Sequence, residues 1–165
     1  SIKQGNITAS ELTEIVKGEK GEPGQLIGRI ESEQILGEIE KNTPIGIYGT
    51  AEEAAFAGES YPIALQSEIK EGPAQILSSI TGGEPVAYDV EIEQVMYYGK
   101  DQNKGMVIHV TDPALLAQTG GIVQGMSGSP ILQDGKIVGA VTHVFVQDPT
   151  RGYGIFIENM LEAIR

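Results

Sequence analysis

Glycine and proline do most to limit what this sequence can fold into. Its 22 glycines and 8 prolines are scattered as punctuation between short apolar runs, the pattern of many short strands joined by turns. Strands are expected over Ile7–Val16, Gln25–Ile30, Gln34–Ile39, Ile45–Tyr48, Ala74–Ile80, Pro85–Tyr98, Gly105–Val110, Ser129–Leu132 and Lys136–Val146. In the long run from Pro85, Val86, Tyr88, Val90 and Ile92 alternate with Asp89, Glu91 and Glu93, which marks a strand buried on one face. Asp134-Gly135 between two apolar runs is a two-residue hairpin signal. Gly18, Gly21 and Gly24 repeat the collagen spacing over too few triplets for a triple helix and read as a turn. Helices are expected at Pro113–Gln118, with Asp112 as N-cap, and at Ile157–Ile164, with Ile157, Met160, Leu161 and Ile164 on one face. The expected fold class is mainly β and barrel-like.

Composition removes several functions. The 11 basic and 23 acidic residues give a net charge of −12, a field that repels phosphates and argues against a nucleic-acid partner. No apolar run is long enough for a transmembrane helix. Without cysteine there is no disulfide scaffold, thiol nucleophile or thiolate metal site, and two distant histidines argue against an all-protein zinc site. No metal and no organic cofactor is expected.

One segment carries chemistry: Gly125-Met126-Ser127-Gly128-Ser129-Pro130. A serine hydroxyl becomes a useful nucleophile when it is displayed on a tight turn beside a base. Gly125 permits close approach and unusual dihedrals, and its N–H together with that of Ser127 can form an oxyanion hole. Gly128 leaves room for substrate, and Pro130 sets the exit into the next strand. A plain Gly/Ser turn would have the same composition. The strand, Asp134-Gly135 turn and strand that follow supply context. In a chymotrypsin-like barrel the second of these strands passes the active site and pairs with extended substrate along Ile137–Phe145, making Thr142, His143 and Val144 substrate-binding residues. Arg151-Gly152-Tyr153-Gly154-Ile155 is expected to form a pocket wall, and the last helix to close the barrel.

The stretch Thr119–Pro130, continued by Gly139–Val146 and Asp148-Pro149-Thr150, resembles the signature of the stage IV sporulation protein B family of serine peptidases. Glu40-Lys41-Asn42-Thr43 and Gly46-Ile47-Tyr48-Gly49 match more loosely. The resemblance implies a chymotrypsin-like antiparallel β-barrel peptidase, exported and membrane-associated, acting between the forespore and mother-cell membranes. It implies cleavage of a partner in a membrane complex and of the enzyme itself, triggering intramembrane proteolysis that activates a late sigma factor. It further implies that residues 1–165 are a peptidase domain lacking its N-terminal portion and an upstream PDZ domain.

A serine peptidase needs a base, usually histidine, oriented by a carboxylate. Asp112 matches the family's triad aspartate, although an Asp before Pro at a helix start is also an ordinary N-cap. His143 lies on the substrate-pairing strand, and His109 and Asp112 should point to opposite faces of a strand. The family's base lies in a Gly-His motif that this sequence does not contain. The chain alone is therefore expected to lack its base and to be inactive or very weak. The alternatives are a catalytically silent peptide-binding module, a small all-β structural domain in which the serine motif is merely a turn, or a site completed in a domain-swapped homo-oligomer.

Overall fold

The computed structural model describes residues 5–55 and 58–164. Among the described residues, nine strands and two α-helices run in the order β1 (Gly5–Val16), β2 (Gln25–Thr43), β3 (Gly46–Ala51), β4 (Gly72–Ser78), β5 (Val86–Val95), β6 (Met106–Val110), α1 (Pro113–Thr119), β7 (Pro130–Gln133), β8 (Lys136–Phe145), β9 (Asp148–Phe156) and α2 (Ile157–Ile164). The expectation of a mainly β, barrel-like protein holds. Strands β4 to β9 form a closed antiparallel barrel ordered β4-β5-β6-β9-β8-β7, and β1-β2-β3 form a separate antiparallel sheet. Six strands joined in this order are of the chymotrypsin-like type. No described helix is long and apolar enough to cross a membrane.

The barrel's core follows from strand periodicity. Tyr88, Val90 and Ile92 of β5 point inward with Ile76 of β4, Met106 and Ile108 of β6, and Ile131 of β7, all at most 3% exposed. Val86, placed on the same face by alternation, is instead 41% exposed, because it pairs with Ser78 at the barrel's rim, where no strand covers it. The hairpin signal is realised: Asp134 (φ 52°) and Gly135 (φ 74°) both take the left-handed conformation of a two-residue hairpin turn.

Four expectations need correcting. Gln25–Ile30 and Gln34–Ile39 are parts of one long strand, β2, which shifts register against β1 between Ile7 and Ser10 instead of breaking. Strand β5 ends at Val95, not Tyr98, because Gly99 N–H turns back to the Met96 carbonyl. Arg151–Ile155, expected as a pocket wall and not among the expected strands, is part of a further strand, β9. The barrel is closed by β4 pairing with β7, Gln75 to Leu132 and Ile76 to Ile131, not by the last helix, which packs outside against β8 and β9.

The small sheet is fastened to the barrel at both ends. At the β1–β2 turn, Gly18 N–H donates to the Thr119 carbonyl and Gly21 N–H to that of Val146, each at 2.8 Å. At the β2–β3 turn, Asn103 Nδ2 donates to the Pro44 carbonyl, and Lys41 Nζ reaches the carbonyls of Ala163 and Ile164 at the end of α2.

Only two residue pairs close the barrel between β4 and β7, so the packing under them should be sensitive. Ile76→Ala empties a fully buried position and should cost about 2–5 kcal/mol, read as a lower urea midpoint with an unchanged slope. A loss below about 1 kcal/mol would mean that this closure contributes little.

Candidate active site

Ser127 stands on the turn that joins the end of α1 to β7. The turn is held on both sides by backbone hydrogen bonds. Before it, Gln124 pairs with β2: its N–H donates to the Gly24 carbonyl and its carbonyl accepts from Leu26 N–H, both at 2.8 Å. After it, Gly128 N–H donates to the Val141 carbonyl at 2.8 Å, and Val141 N–H returns to that of Ser129 at 3.0 Å. Gly125 (φ 101°) and Gly128 (φ 92°) take the positive φ this path requires, which side chains rarely tolerate.

The result is an exposed hydroxyl beside two available donors. Ser127 Oγ donates to the Thr142 carbonyl at 2.8 Å, and Thr142 Oγ1 donates to the Asn103 carbonyl at 2.7 Å. Among the described residues, neither Gly125 N–H nor Ser127 N–H donates to a backbone carbonyl. A cavity of about 1090 Å³ borders Gly125 and Ser129, with Ser10 and Leu12 of β1, Leu26 of β2 and the β4–β5 loop around it. A smaller, mostly apolar one of about 430 Å³ borders Ser127 and Gly128, between the β2–β3 turn and β8.

Strand β8 is only partly open to an added strand. Residues Lys136–Ala140 are taken by β7, and β9 runs along the opposite edge. The expected substrate edge over Ile137–Phe145 therefore shrinks to the stretch beyond Val141, whose own N–H and carbonyl are taken by Ser129 and Gly128. A bulge between Val141 and His143 in the β8–β9 register lets the Thr142 carbonyl face Ser127. Thr142 and Val144 lie on this free stretch, and His143 borders the smaller cavity with its carbonyl turned toward Gly152 of β9.

Asp112 is placed elsewhere. One carboxylate oxygen accepts from Ala114 and Leu115 N–H at 2.8 and 3.0 Å, and the other from Asp89 N–H at 3.3 Å. It is the N-cap of α1, as the residue order around Pro113 predicts. Those N–H groups, Leu115 foremost, hold its pKa below the ordinary carboxylate value. Because neighbouring strands alternate in direction, Asp112 after β6 and Ser127 before β7 lie at the same end of the barrel. They are on opposite walls, however, with β5 and β4 between them one way and β9 and β8 the other. His109 is also apart from Ser127: its Nδ1 lies 3.2 Å from Glu93 Oε1 on the outer face. His143 makes no hydrogen bond to Ser127. The structure thus brings together the Ser127 hydroxyl, its turn and two backbone N–H groups that pair with no backbone carbonyl, and leaves Asp112 and His109 apart from them.

Two features were not foreseen. Asn103 joins the β2–β3 turn to Thr142, a link that no local spacing signals. Arg151 forms a two-pronged pair with Glu93 at 2.8 Å and bonds to Asp148. The arginine lowers the Glu93 pKa, and Thr150 followed by Arg151 lowers that of Asp148.

The chain matches known proteins in two ways. Residues 1–161 match the SpoIVB peptidase S55 family. Among solved structures, the fold is similar to that of Rv3671c from M. tuberculosis H37Rv, a serine-to-alanine mutant in an inactive form. That match has a TM-score of 0.55 and 14% identity, and covers 86% of this chain and 68% of the other; at this identity it speaks to fold alone. No curated protein matches the chain.

The depressed carboxylates give a pH prediction. Asp112, Asp148 and Glu93 all have native pKa values below the ordinary 3.8 to 4.5. A depressed group stabilises the fold above its unfolded pKa and loses that contribution as pH falls through the native one. Urea midpoints should therefore be level from pH 7 to about 5 and decline from about 4.5 downward, with a shallower decline in Asp112→Asn. An unchanged midpoint at pH 3 would contradict the assignment.

Proposed function

This chain belongs to the SpoIVB peptidase S55 family, and from that premise we propose how its residues divide the work of a sporulation serine peptidase. Its class of substrate is protein. The observation that carries the reading is the Ser127 hydroxyl, exposed on a doubly pinned turn with the N–H groups of Gly125 and Ser127 uncommitted.

In this reading the substrate lies as an added strand on the free edge of β8, held by the backbone of Thr142 and Val144, with His143 beside it. Ser127 Oγ attacks the scissile carbonyl carbon, a C–O bond forms, and the negative charge on the carbonyl oxygen is met by Gly125 and Ser127 N–H. Such donors are worth about 10²–10³ in rate each. The C–N bond then breaks as the amine takes a proton, and water releases the acyl group by the reverse route.

The proton needs an acceptor, and the Thr142 carbonyl that now receives the Ser127 hydrogen bond is not a base. The family's histidine, in its Gly-His motif, would reach Ser127 through the 430 Å³ cavity between the β2–β3 turn and β8. The family resemblance implies that Asp112 is the acid. Its geometry here supports a positioning role, anchoring α1 and hence the approach to the nucleophile turn. The finer biology follows the same resemblance: an exported peptidase domain, preceded by a PDZ domain, acts between forespore and mother-cell membranes. It cleaves itself and a membrane-complex partner, and it can assemble by exchange of a segment between copies.

Two experiments test this division. A fluorophosphonate probe should label the enzyme when the Gly-His segment is joined to this chain and not label Ser127→Ala. The chain without that segment should label at least about 10³-fold more slowly. Equal labelling of the bare chain, lost in His143→Ala, would instead assign the base to His143. Asp112→Asn keeps a good N-cap, so its stability should stay within about 0.5 kcal/mol of the parent. If Asp112 orients the base, kcat falls about 10⁴-fold in that variant; if it only caps α1, kcat is unchanged.

A further inference from the structure

The peptidase reading leaves open which side chain may precede the cleaved bond, and the packing around Ile122 answers it. The geometry points to Ile122 as a plug that closes the primary side-chain slot, so that this enzyme cleaves after small residues: glycine, alanine or serine. The inference rests on the added-strand reading of β8.

A strand lying along Thr142–Val144, with its scissile carbonyl at Ser127, needs a place for the preceding side chain, and the proposed function already gives the 430 Å³ cavity beside Ser127 to the base. The gap between the segment leading to the nucleophile, residues 121–125, and the β8–β9 pair opposite it is such a place. Gly152 of β9 has no side chain there, which leaves a hollow beside the carbonyl of His143. The hollow is not empty. A Cβ built on Gly152 would stand 2.7 Å from Ile122 Cδ1, and Ile122 is 2% exposed.

The two walls are also drawn together. Ile122 N–H donates to the Pro149 carbonyl at 2.7 Å, and any side chain at Gly121 would run into that same carbonyl. Neither of the two cavities near the nucleophile is lined by Ile122 or Gly152. An isoleucine thus fills, from within the chain, the volume that a large substrate side chain would need. The atoms nearest a Cβ on Gly152 are the His143 carbonyl and Ile122 Cδ1, neither of them a counter-charge to offset the desolvation of a basic or acidic residue.

The test uses the enzyme in the form that cleaves a generic protein in a Ser127-dependent way, with a peptide series varied only at the residue before the bond. The parent should cleave after Gly, Ala and Ser at least about 10²-fold better than after Leu or Phe. Ile122→Ala should raise kcat/KM for Leu and Phe about 10- to 100-fold. Ile122→Val, which keeps more of the packing, should shift the preference part of the way. Efficient cleavage after Leu or Phe by the parent, or an unchanged preference in both variants, would overturn the proposal and move the slot to the 430 Å³ cavity beside Ser127.

A second arm needs no catalysis. Under xenon pressure, the amide signals of Gly152 and His143 should shift in Ile122→Ala and stay still in the parent, since a small apolar cavity takes up xenon. Equal shifts in the parent would mean that the hollow is already open, and would overturn the plug. Should no peptide be cleaved by any form, the peptidase reading fails, while the xenon arm still decides the role of Ile122.

Discussion

The backbone pairing of Gln124 with β2 is the constraint on which the site depends. A serine on a glycine-rich turn has no fixed direction of its own, and Gly125 and Gly128 make the chain around Ser127 more permissive. Two pairs of hydrogen bonds remove that freedom: Gln124 with Gly24 and Leu26 on one side, and Gly128 and Ser129 with Val141 on the other. The first belongs to the small sheet and the second to the barrel, so the turn that carries Ser127 is held by both bodies at once. The small sheet therefore helps to set the direction of the Ser127 hydroxyl.

The same arrangement explains why the sheet's two turns touch the places they do. The β1–β2 turn bonds to Thr119, where α1 ends, and to Val146, between β8 and β9. Buried Thr119 then ties the helix end to Gly121: its Oγ1 lies 2.9 Å from the Leu115 carbonyl and 2.6 Å from that of Gly121, and its one proton serves one of them at a time. The β2–β3 turn bonds to Asn103, which accepts from Thr142, whose carbonyl holds Ser127. A chain of contacts runs from each turn to Ser127, one through the helix end and the other through β8.

Much of the barrel was legible because its signals are local. Alternation in β5, the Asp134-Gly135 turn and Pro113 behind Asp112 each act within a few residues, and all three are realised, with exposed Val86 and the early end of β5 at Val95 the departures. Strand β9 was not legible: Arg151-Gly152-Tyr153-Gly154 has too few apolar side chains to show a period, and its glycines face inward because Ile122, Ile131 and Met106 occupy the space beside them. Ser127 could be read from its motif, since the turn needs those residue types at that spacing. The roles of Asn103 and Ile122 could not, because both depend on contacts between segments far apart in the chain. Asp112 shows the reverse limit, where one residue fits both a cap and a triad acid and only its surroundings separate the two.

The most direct test of the account uses Gly24→Ala in the form of the enzyme that reacts with a fluorophosphonate. A side chain at Gly24 would run into the Val16 carbonyl at the root of the β1–β2 turn and disturb the strand that holds Gln124. Amide hydrogen exchange, followed together with the labelling rate, should show Gln124 and Leu26 losing protection and labelling of Ser127 falling in step, while Met106 and Ile131 in the barrel stay protected. Full labelling with Gln124 unprotected would contradict the claim that this pairing aims the nucleophile.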